Sequence, residues 1–239
     1  MLNLCFLIPA CFLSLFMASY RADVDPEDAY SHKRERMVAE QIASRGVRDP
    51  KVLNAMRTVK RHQFVPDEFR DQAYGDHPLP IGEGQTISQP YIVALMTEVI
   101  KPEPHMKVLE VGTGSGYQAA VLAELCNGVY TIEIVEILGK RAERILSGLY
   151  KNVRVRIGDG YLGWPEAAPF DAILVTCAPT KVPRPLEDQL REGGRMVIPV
   201  GEAWAQELVV LTKKGGRLQQ QAIIPVRFVP MVDRKGKKY

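Results

Sequence analysis

The chain has four cysteines in 239 residues (Cys5, Cys11, Cys126 and Cys177), and no two of them form a C-x-x-C pair. None has a histidine at ligand spacing, so a zinc site and a disulfide framework both lack their raw material. The four histidines, His32, His62, His77 and His105, do not cluster either. Ser115 sits among glycines, but a G-x-S-x-G nucleophile elbow needs glycine at 113, where threonine stands. These absences leave a metal-free, non-hydrolase chain. The basic excess gathers at the ends: the net charge is +3, and the terminal run Arg234-Lys235-Gly236-Lys237-Lys238 is short enough to be a solvated tail. Without an aromatic-interleaved basic stripe, no nucleic-acid partner is expected.

Long apolar runs are nearly missing as well. The exception, Leu4 to Ala18, is too short to span a membrane comfortably and has the length of a signal-peptide core. Yet no Lys or Arg precedes Arg21, small residues are poorly placed for cleavage after Ala18, and Ile8-Pro9-Ala10-Cys11 is only a partial lipoprotein-type signal. Residues 1–21 therefore stay open between an export leader and a mis-assigned start, with Met17 or Met37 as the alternative first residue. No stable membrane association is expected unless that leader is retained.

What is present is an ordinary globular composition, 46% hydrophobic and 25% charged, at a length suited to one α/β domain with or without an appendage. Asp25-Pro26-Glu27 reads as a helix start, with a charged helix running to Gly46. Asp49-Pro50 opens a second helix over 51–58. Residues 59–90 are rich in Pro, Gly and aromatics and show little periodicity, and a helix over 91–100 stops at Lys101-Pro102. From Lys107 strands alternate with helices, the mark of a parallel sheet: strands over 107–111, 128–133, 153–157 and 170–175, helices over 117–125, 136–148 and 183–191. A strand over 195–200 and a hairpin formed by 207–212 and 218–229 close the chain. The expected fold is a doubly wound, Rossmann-like α/β core (105–239) with an N-terminal helical cap and loop (22–104) and a β-rich C-terminal end. The two parts are expected to form one integrated domain over 22–239.

The most informative stretch is Val108-Leu109-Glu110-Val111-Gly112-Thr113-Gly114-Ser115-Gly116-Tyr117, a short apolar strand running into a glycine turn and a helix. Alternate glycines let the backbone approach a ligand closely, and the helix beyond points its free N–H groups at it. The spacing is G-x-G-x-G, one residue tighter than the dinucleotide fingerprint. It resembles the first motif of S-adenosylmethionine-dependent methyltransferases. Glu133 ends the next strand about 20 residues past the turn, where a doubly wound fold holds a ribose diol; a carboxylate accepts both hydroxyls at once. Asp159, between Gly158 and Gly160, closes the third strand and is placed to accept from an exocyclic adenine amine. The candidate cofactor residues are thus Gly112, Thr113, Gly114, Ser115, Glu133, Asp159 and Gly160.

A second motif fills the irregular stretch: Arg61-His62-Gln63-Phe64-Val65-Pro66, then Ala73 through Pro90 with Gly84-Gln85-Thr86-Ile87-Ser88-Gln89-Pro90 at its end. Together with the glycine turn, Gly158-Asp159-Gly160-Tyr161, Ala168-Pro169-Phe170-Asp171 and Phe228-Val229-Pro230, this resembles the protein-L-isoaspartate O-methyltransferase family over nearly all of Arg34 to Val232. Cys177, where alanine is usual, and the apolar leader are the departures. The resemblance implies a protein repair methyltransferase. Such an enzyme moves a methyl group from S-adenosylmethionine to the free α-carboxylate of an L-isoaspartyl residue, and the ester then returns through a succinimide to aspartate. It implies damaged proteins and peptides as partners, no metal, and a cytoplasmic location, with periplasmic export the alternative that the leader raises. It also implies Ser88 as the active-site residue and Thr86 beside the adenosyl group. Read as residues alone, Ser88 is equally a helix cap and Thr86 a turn hydroxyl. Asp76 reads as a turn residue and Arg227 as a surface arginine near the late F-V-P. Two rival readings share the same core: a methyltransferase for RNA or a small acid, and a non-catalytic adenosyl-binding protein.

Overall fold

The computed structural model describes the backbone of residues 26–239 and the side chains of residues 30–239; the apolar leader and the Asp25 cap lie outside the described residues. In chain order the elements are α1 (Pro26–Arg36), α2 (Pro50–Thr58), the hairpin β1 (Leu79–Gly82) and β2 (Gln85–Ile87), α3 (Pro90–Val99), β3 (Lys107–Val111), α4 (Tyr117–Ala123), β4 (Gly128–Glu133), α5 (Glu136–Leu149), β5 (Val153–Ile157), β6 (Phe170–Val175), α6 (Arg184–Gln189), β7 (Leu190–Glu202), β8 (Ala205–Lys214) and β9 (Arg217–Val226).

The main sheet has seven strands in the order β5-β4-β3-β6-β7-β8-β9. The first five are parallel, and β7, β8 and β9 pair antiparallel. Chain direction across the sheet reverses between β3 and β6. Their carboxyl ends, Val111 and Val175, therefore border the crevice where open α/β sheets take ligands.

Side chains along β3 alternate between two apolar layers, as strand geometry requires. Val108 joins the layer that holds α2, α3, α4 and α5, while Leu109 and Val111 join the layer under α6. That double burial is what a parallel strand with helices on both faces must tolerate. In α5, Leu138, Ala142 and Leu146 recur at four-residue spacing and are buried. Burial of each leucine is worth about 1.5–3 kcal/mol. The N-terminal helices share the first layer through Val38, Ile42, Val52 and Met56, so they pack on the sheet and complete one core with it.

The sequence reading needs adjustment at three places. The expected single helix to Gly46 stays helical but changes type, from α1 to a π-helical turn over Met37–Ile42 and a 3-10 turn over Ala43–Arg45. The stretch read as irregular carries the β1–β2 hairpin and two 3-10 turns, too short for periodicity to register. The expected strand at 195–200 begins earlier and runs longer, as β7. Its Gly193-Gly194 lies inside the strand, where an added Cβ at 194 would meet backbone oxygens of Arg191 and Asp171 at 2.9 Å.

Candidate functional site

The β3–α4 turn is held by hydrogen bonds to the end of β4. The N–H groups of Gly112 and Thr113 both donate to Ile132 O, at 2.9 and 3.2 Å. Glu133 then accepts from Gly114 N at 2.7 Å through Oε2 and from Val135 N at 2.9 Å through Oε1. Burial raises its carboxyl pKa, and those backbone donors pull the other way. Across the switch point, Thr176 donates its hydroxyl to Gly112 O at 2.7 Å. Gly112 adopts φ of +97°, and a Cβ there would stand 2.4 Å from Thr176 Oγ1. Gly160 is equally confined, since its Cβ would meet Val111 Cγ1 at 2.4 Å.

Three adjoining cavities meet beside this turn at Thr86 and Thr176. A narrow one of about 90 Å³ is lined by Gly112, Gly114, Glu133, Gly160, Cys177 and Met231. A small polar one of about 40 Å³ is lined by Glu110, Thr113, Ser115, Gln118 and Ser88. An open cleft of about 680 Å³ runs from Ser88 past Arg45 and Tyr91 to the Val226–Val229 segment. Thr86 and Thr176 line all three. Of the expected residues, Gly112, Gly114, Glu133 and Gly160 line the narrow cavity, Thr113 and Ser115 the polar one, Ser88 the polar one and the cleft, and Thr86 all three; Asp159 is in none of these linings.

Ser88 lies between β2 and α3 and faces both the open cleft and the polar cavity. The reading of Ser88 as a helix cap does not hold: the N-cap of α3 is Gln89, with no side-chain cap hydrogen bond. The Ser88 carbonyl instead accepts from Arg61 Nη2 at 2.8 Å. Arg61 is fully buried, donates Nε to Ala73 O at 2.7 Å and lies 4.8 Å over the Tyr117 ring. Burial lowers its pKa to about 10, which leaves it a cation at neutral pH. One guanidinium thus pins both ends of the 73–88 loop against the first residue of α4. Its signal was present in the Arg61-to-Pro66 motif, but no periodicity tells a buried arginine from an exposed one.

Thr113 lines the small polar cavity. Its hydroxyl is 2.6 Å from that of Thr131, which donates to Glu110 Oε2 at 2.5 Å. The Thr113 hydroxyl is thereby linked to the Glu110 carboxyl through Thr131. Glu110 is the acid of the strand before the glycine turn, and the sequence reading gave it no role of its own. It is completely buried, and burial, with the charge of nearby Glu133 adding to it, pushes its pKa up to about 8. Its Oε1 has no hydrogen-bond partner among the described residues. A buried carboxyl with one oxygen orphaned on a polar cavity is suited to receive a donor from a ligand.

Asp159 caps its own turn, accepting from Tyr161 N at 3.0 Å, and Gly160 beside it reaches the narrow cavity. Ser115 Oγ accepts from Tyr117 N at 3.3 Å. Asp76 is more than a turn former. It pairs with Arg45 at 2.9 Å and accepts from Gln89 Nε2 at 2.7 Å, while Arg45 lies 3.9 Å over the Tyr91 ring. Arg227 is exposed and lines the open cleft. Trp164 packs edge-on to Tyr130 and under Arg156, as a structural wall. Among the described residues no group of His, Cys, Asp and Glu is arranged to hold a metal, and no helix is long and apolar enough to cross a membrane.

The strand order, the glycine turn and the carboxylate closing β4 define an S-adenosylmethionine-dependent methyltransferase domain. The family model for protein-L-isoaspartate(D-aspartate) O-methyltransferase matches residues 32–236. The chain belongs to that family. A protein-L-isoaspartate O-methyltransferase of Opitutus terrae is 55% identical over 225 residues, covering 93% of this chain and 97% of its own. The Gloeobacter violaceus protein of the same name is 56% identical over 205 residues, covering 85% and 100%. Among solved structures, a protein-L-isoaspartate O-methyltransferase superposes with a TM-score of 0.78 at 29% identity, over 86% of this chain and 67% of that one. A Plasmodium falciparum structure described as a beta-aspartate methyltransferase, in complex with S-adenosyl-L-homocysteine, gives 0.73 at 27% identity, over 83% and 97%.

Proposed function

We propose that this chain methylates the free α-carboxylate of L-isoaspartyl residues in damaged proteins and peptides, with S-adenosylmethionine as donor, as a repair enzyme. The observation that carries the reading is the junction at Thr86, Ser88 and Thr176, where an open cleft meets a glycine-walled cavity. The donor, when bound, supplies an electrophilic methyl group on a sulfonium. Glu133 offers its carboxylate to the ribose diol, Asp159 to the adenine amine, and the Gly112, Gly114 and Gly160 backbone gives the room that a side chain would fill. Glu110 Oε1 takes the ammonium at the amino-acid end.

The substrate group is a carboxylate, ionised at neutral pH because its ordinary pKa is near 4, so no general base is required. The work left to the protein is alignment and exclusion of water, which in favourable intramolecular cases is worth about 7–11 kcal/mol. Ser88 donates its hydroxyl to the carboxylate. Arg227 and the Asp76-braced Arg45 line the cleft as donors for a substrate backbone or carboxylate. Val226 and Arg227 continue the cleft toward Trp204, 87% exposed at the β7–β8 tip, which suits a polypeptide better than a small acid. The family resemblance implies a cytoplasmic location. The N-terminal helices and the sheet act as one unit, because α3 and the Ser88 loop belong to both.

The direct test is methyl transfer from labelled S-adenosylmethionine to two peptides that differ only in isoaspartate or aspartate at one position. Base-labile label on the isoaspartyl peptide alone is expected; cofactor binding with label on neither peptide, or label on RNA alone, overturns the reading.

The role of Glu110 has its own signature. In the free protein its carboxyl is mostly protonated at neutral pH, with a pKa near 8. An ammonium at Oε1 favours the ionised form, so binding lowers that pKa and releases a proton. The dissociation constant for S-adenosylmethionine then falls as pH rises from about 6 to 7.5, by at most tenfold per unit. Calorimetry should show this trend in the wild type and a flat profile in Glu110→Gln. A flat wild-type profile removes the assignment.

A further inference from the structure

The adenine end of the site is closed by a residue that the reaction above does not use. Tyr239 donates its hydroxyl to Asp159 Oδ2 at 2.5 Å, and its ring stacks on Tyr161 with centroids 4.1 Å apart and planes 15° from parallel. The other Asp159 oxygen accepts from Tyr161 N at 3.0 Å, so the carboxylate is held at both ends. The backbone of Tyr239 is fixed too: its N–H donates to Met231 O at 3.1 Å, and its carbonyl accepts from Thr180 N at 3.0 Å. Met231 is pinned in turn, donating to Ala178 O at 2.8 Å, and it walls the narrow cavity together with Pro230 and Val232. One residue thus braces both a carboxylate and a wall of the same site.

We propose that Tyr239 is a positioning residue for the adenine end of the S-adenosylmethionine site, holding the Asp159 carboxylate in the orientation that accepts the exocyclic amine. The inference rests on the reading of Asp159 as the partner of that amine. A carboxylate has about four lone-pair directions. The Tyr239 hydroxyl and the Tyr161 N–H take one on each oxygen, which fixes the carboxylate plane and leaves acceptor capacity on both. Asp159 stands between Gly158 and Gly160, and without the hydroxyl its side chain is tied through one oxygen only. Binding then bears the cost of ordering it. The stacked ring does not depend on the hydroxyl, so Tyr239→Phe isolates the hydrogen bond from the packing.

The experiment compares S-adenosylhomocysteine with S-inosylhomocysteine, its deaminated counterpart, by calorimetry on the wild type, Asp159→Ala and Tyr239→Phe. The wild type is expected to prefer the adenosyl compound, and Asp159→Ala, which has no side-chain acceptor, to lose that preference. Tyr239→Phe should weaken adenosyl binding about three- to tenfold, the loss of one hydrogen bond to an acceptor. It should also narrow the preference over the inosyl compound. The turnover number at saturating cofactor and KM for an isoaspartyl peptide should not change. A preference that survives Asp159→Ala refutes the reading of Asp159, and the inference falls with it. A preference lost in Asp159→Ala but intact in Tyr239→Phe overturns the inference alone. So does equal weakening of both ligands, which marks a wall effect, or tighter adenosyl binding, which marks competition for the carboxylate.

Discussion

Ser88→Ala is expected to lower the turnover number on an isoaspartyl peptide by on the order of a hundredfold, the loss seen when one donor to a reacting oxygen is removed. The dissociation constant for S-adenosylmethionine should stay the same. The geometry explains why the two readouts separate. The cofactor groups of the site hang on the β3–α4 turn and on the segments that close β4 and β5, and none of their hydrogen bonds passes through the Ser88 side chain. The loop itself is fixed by Arg61, which holds the Ser88 carbonyl and not its hydroxyl. Removing Oγ therefore leaves the backbone in place and costs little stability, because α3 does not use Ser88 as its cap. Rapid-quench kinetics and calorimetry on the same variant check both halves. Unchanged turnover would remove Ser88 from the reaction, and a matching loss of cofactor affinity would make it a structural residue of the loop.

The parallel core was legible because its signals are local and repeated. An apolar strand of four to six residues followed by an amphipathic helix leaves a mark at each turn, as in Val108–Val111 or in the Leu138, Ala142 and Leu146 stripe. The glycine turn and Glu133 were legible because spacing alone constrains what a backbone there can do. What escaped was determined by contacts distant in sequence. Arg61 is a charged residue in a polar stretch until the fold closes 27 positions of chain onto it at the Ser88 carbonyl. Glu110 belongs to an apolar strand whose alternation sends it into a polar cavity, a fact only the register with Thr131 reveals. Thr176 follows a strand without any motif, yet it lines the cleft and both smaller cavities because β6 lies beside β3 at the switch point. Tyr239 reads as the end of a basic run and finds Asp159 across 80 residues of chain.

Gly112→Ala is expected to raise the dissociation constant for S-adenosylmethionine by on the order of a hundredfold or more while the sheet still folds. Two separate obstacles add at this position. A left-handed φ of +97° is costly for alanine, by about 1–3 kcal/mol. The new Cβ also meets Thr176 Oγ1 at 2.4 Å, a distance real Cβ atoms do not hold, so the turn or β6 must shift. Either movement alters the junction that Thr176 shares with Thr86. The two causes can be parted by a second change. Thr176→Ala removes Oγ1, and its Cβ lies 3.6 Å from the introduced methyl, an ordinary contact. The double variant Gly112→Ala, Thr176→Ala should therefore bind the cofactor more tightly than Gly112→Ala, although less tightly than Thr176→Ala alone, because the backbone strain persists. That order of affinities is what a steric wall at the switch point demands. If Gly112→Ala binds like the wild type, the glycine is no part of the cofactor site. If the double variant regains nothing, strain alone sets the requirement and the Thr176 hydroxyl is not the wall.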